Sequence, residues 1–269
     1  GRDGRPILVT QARSYGVGFS EIDLTIDRAN GEVVAFASRI LTPWADTGPG
    51  SKPDKAVEKL VAAASKITSV QETRPVGAAA RALTRAENAD GESTLGNLVA
   101  DAQRAAAGTA FAFMNKGGIR NDLDAGPITW GELRAVQPFG NTLLKMTLTG
   151  EQILRLLEQQ WSGPHAETPY FLRPSGLAYT YDLRRPVGSR VVDARDADGL
   201  PLEPQRRYTV VANDFLYGGG DYFSVFAEGL DVQPVMLDVD ALEKYVAGAG
   251  RPVDADYDGR MRRLDAPAR

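Results

Sequence analysis

The run Tyr208-Thr209-Val210-Val211-Ala212-Asn213-Asp214-Phe215-Leu216-Tyr217-Gly218-Gly219-Gly220-Asp221 changes character halfway along. Residues 208–213 predict a strand. Three consecutive glycines follow, and these are costly to order, so the backbone there is needed in an unusual geometry or close to a ligand. Phe215 falls at a strand end, where its ring either packs or faces a ligand. Asp221 closes the run as a carboxylate placed to accept two hydrogen bonds from a sugar diol or, more plainly, to cap a short helix.

Outward from this stretch the chain alternates helix and strand. The pattern predicts a helix over 94–107 stopped by Gly108, strands over 109–114 and 142–148, and a helix over 151–161. Further strands are expected over 177–182, 190–194 and 208–213, with a helix near 242–247. These make one mixed α/β (α+β) domain of roughly 190 residues, a normal domain size, with no internal repeat.

The beginning of the chain differs. Residues 6–10 form an apolar run, and 20–26 alternates, with Ile22, Leu24 and Ile26 on one face and Glu21, Asp23 and Thr25 on the other. Asn30-Gly31 tolerates the positive φ of a hairpin turn, and 33–41 reads as the returning strand. Two or three strands cannot bury an apolar face alone, so that face is expected to be partly exposed or repacked. Residues 43–53 are linker-like. A helix is expected to start at Ser51, with Asp54 three residues on and Val57, Leu60, Val61, Ala64 and Ile67 at helical spacing. The organisation expected is therefore a short β appendage over 1–43, a linker and connecting helix over 44–74, and the α/β domain over 75–269.

Composition narrows the function. With 43% hydrophobic and 25% charged residues the 269-residue chain can bury a sizeable core. A net charge of −4 argues against binding a nucleic-acid polymer, although a local Arg cluster can still hold a small anion. There is no cysteine for a thiolate site or nucleophile. No apolar run approaches the roughly 18 residues of a membrane span, and Gly1-Arg2-Asp3-Gly4-Arg5 is not a signal peptide. The single histidine, His165, in a loop-like Ser-Gly-Pro-His-Ala-Glu context, reads as a solvated loop residue and makes a His-rich metal site impossible.

Four segments carry chemistry-bearing patterns. Asn115-Lys116-Gly117-Gly118-Ile119-Arg120 ends a predicted strand. Its glycines allow close backbone approach or an anion-binding nest, and Asn115 and Arg120 flank them with amide and guanidinium donors; the plainer alternative is a tight turn with a surface Arg. Phe139, in Gln137-Pro138-Phe139-Gly140-Asn141, either plugs the core edge or offers a ring face. The third segment is 213–221. The fourth is Thr84-Arg85 with Leu95-Gly96-Asn97-Leu98, much of it structural, with Ser93 or Thr94 as helix cap and Leu95, Leu98, Val99 and Ala102 as the buried stripe. Two loop Phe, two Arg, an Asn and an Asp suit a flat base between rings, a ribose on the carboxylate and a phosphate on the guanidiniums.

Leu-Gly-Asn-Leu-x-Ala-Asp at 95–101, Asn-x-Gly-Gly-Ile-Arg at 115–120, Pro-Phe-Gly-Asn at 138–141 and Asn-Asp-Phe-Leu-x-Gly-Gly-Gly-Asp at 213–221 occur in this order in the C-terminal domain of the 5′-nucleotidase family, which residues 75–264 resemble. Residues 1–43 resemble the final strands of that family's N-terminal calcineurin-like metallophosphoesterase domain. The resemblance implies that Phe139 and Phe215 clamp the base and Asp221 holds the ribose, with Asn115, Arg120 and Arg85 as polar contacts and Gly117, Gly118 and Gly219 shaping the loops. Residues 86–91 lengthen the gap between Arg85 and Leu-Gly-Asn relative to family members; Lys116 adds a charge and Tyr217 a third ring. It implies a phosphoester hydrolase whose two divalent metal ions stabilise developing charge and sit in the N-terminal domain, so no metal ligand and no catalytic residue is expected here and the chain alone is expected to be inactive. The ligand implied is a nucleotide or nucleoside, and the location of the whole protein secreted, periplasmic or at the cell surface. A stand-alone nucleotide-binding module, or a relative acting on nucleotide sugars, cyclic nucleotides or a sulfur substrate, are the alternatives.

Overall fold

A strand whose apolar residues alternate presents one dry face, whereas a strand apolar throughout needs cover on both. Both kinds occur here. The computed structural model describes residues 7–13, 16–44 and 52–265, and the chain divides into two compact units, Gly1–Thr68 and Ser69–Arg269.

In the first unit, β1 (Phe19–Ile26) and β2 (Val33–Leu41) pair as an antiparallel hairpin. Gly31 takes φ 74°, and Asn30 Oδ1 accepts the Glu32 N–H at 2.9 Å. The register sets Leu24 opposite Phe36 and Ser20 opposite Ile40, so Ile22, Leu24, Phe36 and Ile40 share one face. Their exposures run from 38% at Phe36 to 55% at Ile40, so this apolar face stays open. The apolar run over 6–10 forms no strand among the described residues: 7–13 are irregular, and Pro6 lies outside them. An apolar run with no neighbouring strand to receive its backbone N–H and C=O groups leaves them to water.

Helix α1 (Lys55–Glu72) runs one turn further than its spacing predicts and spans the boundary between the units. Asp54 caps it, Oδ1 accepting the Ala56 and Val57 N–H groups at 2.8 and 3.0 Å; Ser51, the expected cap, lies outside the described residues. No α1 residue is buried.

The second unit follows as β3 (Pro75–Ala79), α2 (Thr94–Ala107), β4 (Phe111–Asn115), β5 (Gly126–Thr129), α3 (Trp130–Val136), β6 (Thr142–Thr149), α4 (Gly150–Glu158), β7 (Leu172–Ser175), β8 (Leu177–Tyr181), β9 (Val191–Asp196), β10 (Arg207–Asn213), α5 (Asp214–Tyr217), β11 (Leu230–Leu237), α6 (Asp238–Gly248) and β12 (Met261–Arg263). Its centre is a five-stranded mixed sheet in the order β11-β6-β10-β4-β7, in which β10 and β4 are parallel and the other pairs antiparallel. Alternate side chains of β4 feed two cores. Phe111 and Phe113 join Tyr208 and Val210 of β10, Ile153 and Leu157 of α4, and Trp161. Met114 points the other way, into a core with Leu95, Leu98 and Val99 of α2 and Leu242 and Val246 of α6. With cover on both faces every residue of β4 is buried, and each large side chain so placed contributes about 1.5–3 kcal/mol relative to exposure.

Helix α2 occupies 94–107 as its periodicity predicts. Ser93 caps its start by accepting the Gly96 N–H at 3.2 Å, and Gly108 ends it at φ 58°. Strands β3, β5, β7, β11 and β12 and helix α3 lack a long periodic pattern and were not expected. Two of these, β7 and β11, are the edges of the central sheet and carry Pro174 and Pro234; a proline cannot donate to a ladder and is tolerated where one side of the strand has no partner.

Candidate nucleotide-recognition site

Because β4 and β10 are parallel neighbours, their C-terminal ends emerge together, and the loops leaving them meet. In open α/β sheets the crevice beyond the carboxyl ends of adjacent strands is the usual place for a ligand. Asn213 Nδ2 donates to Asn115 Oδ1 at 3.0 Å, and Asn115 Nδ2 donates to Asp221 Oδ2 at 2.8 Å. Tyr170 Oη donates to the same Asp221 oxygen at 2.8 Å and accepts the Gly117 N–H at 2.9 Å. Asn213 Oδ1 accepts the Leu216 N–H at 2.9 Å, capping α5. Asn115 and Asn213 are both buried, so their amides are spent on one another and on the loops.

The glycines follow from this arrangement. Gly219 adopts φ 83°, the left-handed conformation that costs a side chain most. A Cβ on Gly117 would stand 2.7 Å from Tyr170 Oη, so a side chain there would displace the hydroxyl that ties the two loops together. The anion nest expected at Gly117-Gly118 is not available at Gly117, whose N–H is already accepted by Tyr170, and Gly118 is buried over Met114. Asp221 itself has φ 50°. It is not the N-cap of a following helix but sits inside a short 3₁₀ turn, 220–222, held by its carboxylate. A non-glycine residue in this region is uncommon and is found where surrounding contacts overdetermine it.

Phe139 and Phe215 are 58% and 46% exposed, so neither plugs the core. Phe215 lies on the backbone of Gly220, where a Cβ would come within 2.6 Å of its ring. Phe139 lies under the Arg120 guanidinium, 5.9 Å from ring centroid to Cζ. Tyr217 is half-buried against the large core. Arg85 reaches the site despite its lengthened gap: Nε donates to Asp122 Oδ1 at 2.9 Å and Nη1 to the Arg120 carbonyl at 2.7 Å. The extra residues close on themselves, with Asn88 Oδ1 accepting the Asp90 and Glu92 N–H groups.

Beside these residues lies a cavity of about 290 Å³ lined by Arg85, Lys116, Arg120, Arg173, Tyr170 and Glu87 among others. Four cations against one carboxylate favour an anion. Arg173 is 2% exposed, with Nη2 on Glu87 at 2.5 Å and Nη1 on the Gly91 carbonyl at 2.5 Å. Lys116 Nζ is 3.5 Å from Glu87 and 4.8 Å above the Tyr170 ring. Four roomier depressions, from about 350 to about 730 Å³, are lined by none of the expected site residues.

His165 is not solvated. It is buried in a 3₁₀ turn, its Nδ1 2.9 Å from the Gln159 carbonyl and its ring stacked on Tyr170 at 5.2 Å. Among the described residues no group of three or more His, Cys, Asp or Glu is arranged to hold a metal ion.

Apart from Arg85, the fourth sequence segment is structural. Gly96 leaves room for the Arg173 side chain, Asn97 donates to Glu92 at 2.6 Å and to the Asp256 carbonyl at 2.9 Å, and Asp101 forms a two-point ion pair with Arg260 at 2.7 and 2.8 Å. Burial pushes the Glu92 carboxyl above its usual range, and Asp101 and Asp258 raise the Arg260 guanidinium further. Sequence patterns missed Tyr170, Arg173 and Glu87. They lie outside glycine-rich turns, and their only local signal is a charged or aromatic residue at no particular period.

The sequence model described as "5′-nucleotidase, C-terminal domain" matches residues 66–228. Cell wall protein Lmo0130 of Listeria monocytogenes is 34% identical over 94% of this chain and 34% of its own length. Endonuclease YhcR of Bacillus subtilis is 32% identical over 96% of this chain and 21% of its own. The chain thus spans about a third or less of these curated relatives. Among solved structures, a 5′-nucleotidase precursor from Thermus thermophilus superposes with a TM-score of 0.71 and 33% identity over 98% of this chain and 53% of that one.

Proposed function

The chain belongs to the family of 5′-nucleotidase C-terminal domains, and from that premise we propose that residues 75–269 recognise the nucleoside part of a phosphoester substrate, with the base between Phe139 and Phe215 and the ribose on Asp221. The observation that carries this is the Asn115–Asp221 hydrogen bond, which fixes together two loops that each end a core strand, one leading into the cation-rich cavity and the other bearing an exposed Phe. Base stacking on an aromatic face is worth about 1–3 kcal/mol. Arg85 and Arg120, joined by the Arg85–Arg120 carbonyl contact, supply the positive charge for a phosphate.

The described residues of this chain do not fit a dinuclear metal centre: the one histidine is buried and hydrogen-bonded, and the described carboxylates form no ligand cluster. We assign phosphoester hydrolysis to a metal-bearing domain to which residues 1–43 would contribute the last strands, and this chain alone is expected to be inactive. The Listeria relative, a cell wall protein, supports placing the whole protein outside the cytoplasm.

Titration calorimetry with adenosine and with AMP tests the reading. Phe215→Ala is expected to weaken adenosine about tenfold or more while leaving the thermal midpoint nearly unchanged, because its ring is 46% exposed. Equal affinity in both proteins sinks the clamp. Phosphate release from AMP by this chain in Mn²⁺, Zn²⁺ or Co²⁺ sinks the assignment of chemistry elsewhere.

A further inference from the structure

We infer that Tyr170 is a positioning residue of the recognition site, whose hydroxyl fixes Asp221 so that a single carboxylate oxygen, Oδ1, is left for the sugar. The inference rests on the placement of the ribose at Asp221 proposed above. A tyrosine hydroxyl has one proton and two lone pairs. Asp221 Oδ2 can only accept, so the proton goes there at 2.8 Å, and a lone pair receives the Gly117 N–H at 2.9 Å. Burial and the neighbouring Asp221 push the Tyr170 hydroxyl far above its ordinary range, so it stays protonated and remains a donor.

Asp221 Oδ2 accepts a second hydrogen bond, from Asn115 Nδ2 at 2.8 Å. Rotating the carboxylate would break two hydrogen bonds to an ionised acceptor, each stronger than a neutral one. Oδ1 receives no hydrogen bond from the described residues, and its two lone pairs match the two adjacent hydroxyls of a ribose. The Tyr170 ring is itself fixed: His165 stacks on it at 5.2 Å and the Lys116 ammonium stands 4.8 Å over it. Asp221 at φ 50° has no strong local preference for this conformation. The tether through Tyr170 therefore joins the 115–120 loop to the 213–221 loop and selects a carboxylate orientation that reads the diol.

The test is calorimetry of wild type, Tyr170→Phe and Asp221→Ala with adenine, adenosine, 2′-deoxyadenosine and 3′-deoxyadenosine, with hydrogen exchange of the Gly117 amide alongside. Tyr170→Phe keeps the ring and its stacking. In wild type, adenosine is expected to bind about tenfold tighter than either deoxy analogue. In Tyr170→Phe that preference should shrink to about threefold or less, with adenine affinity unchanged and Gly117 exchanging faster. A diol preference that survives Tyr170→Phe but is lost in Asp221→Ala overturns the role of Tyr170 and leaves the sugar placement standing. A preference untouched by Asp221→Ala, or absent from wild type, overturns the sugar placement and this inference with it.

Discussion

The hairpin β1–β2 and the pair β4–β10 are both apolar strands lying side by side, yet they meet opposite fates. Ile22, Leu24, Phe36 and Ile40 line one face of the hairpin and are each more than a third exposed, whereas all five residues of β4 are buried. Side-chain chemistry does not separate their apolar faces, although β1 alternates with Glu21, Asp23 and Thr25 whereas β4 is apolar from Phe111 to Met114. Cover does: β4 has α2 and α6 on one face and α4 with the aromatic cluster around Trp161 on the other. Two strands alone cannot exclude water from a face. The close packing in this protein accordingly lies in the second unit, and the loops that carry the proposed recognition residues Asn115, Arg120, Phe215 and Asp221 leave the ends of its buried strands β4 and β10, where the core beneath holds them.

The largest expected effect breaks the covered region. Trp161 is fully buried, with Tyr181 and Phe171 against it at 5.1 and 6.1 Å between ring centroids. Trp161→Ala should cost about 3–5 kcal/mol in chemical denaturation. A cost under about 1 kcal/mol would mean that the second unit is packed no better than the hairpin.

A smaller effect sharpens the same contrast through charge. Asp238, at the start of α6, is 1% exposed, and burial pushes its carboxyl up to about 6. A raised carboxyl holds its proton more tightly in the folded state. Its stabilising contribution is therefore complete below the unfolded value near 4 and is lost as pH rises through about 6. Asp238→Asn should raise stability at pH 7 by about 1–3 kcal/mol and flatten the pH dependence between about 4 and 6. A loss at pH 7 would show that the ionised carboxylate is needed, with Arg134 as a charge that favours it.

The smallest effect is expected in the hairpin. Leu24→Ser, at a side chain 53% exposed, should shift the unfolding of the second unit by less than about 0.5 kcal/mol. A loss of about 2 kcal/mol or more would falsify the separation drawn between the two regions.

Regular elements were legible wherever a long period or a cap signalled them. The alternation in 20–26, the Asn30-Gly31 turn and the Ser93-to-Gly108 frame of α2 are local devices, and each appears in the structure where its residues imply. Short strands were not legible. Pro174 and Pro234 argue against strand within β7 and β11, and only their position at the sheet edges removes the objection. His165 shows the same limit: its sequence surroundings are those of a loop, and its burial comes from Tyr170 and Phe223, residues a local pattern does not bring to it.

The sequence by itself determined the mixed α/β class and the four motifs that mark the family, and it proposed Asn115, Arg120, Phe139, Phe215 and Asp221 as a set. Each of these rests on residue type and spacing, which are properties of neighbours along the chain. Only the tertiary structure decided how that set is wired. The parallel pairing of β4 with β10 brings 115 and 213 within one hydrogen bond, and Tyr170, 51 residues from Asp221, supplies the hydroxyl that joins the loops. Contacts between residues so far apart are fixed by sheet order and core packing, and neither leaves a periodic mark on the sequence at the residues it joins.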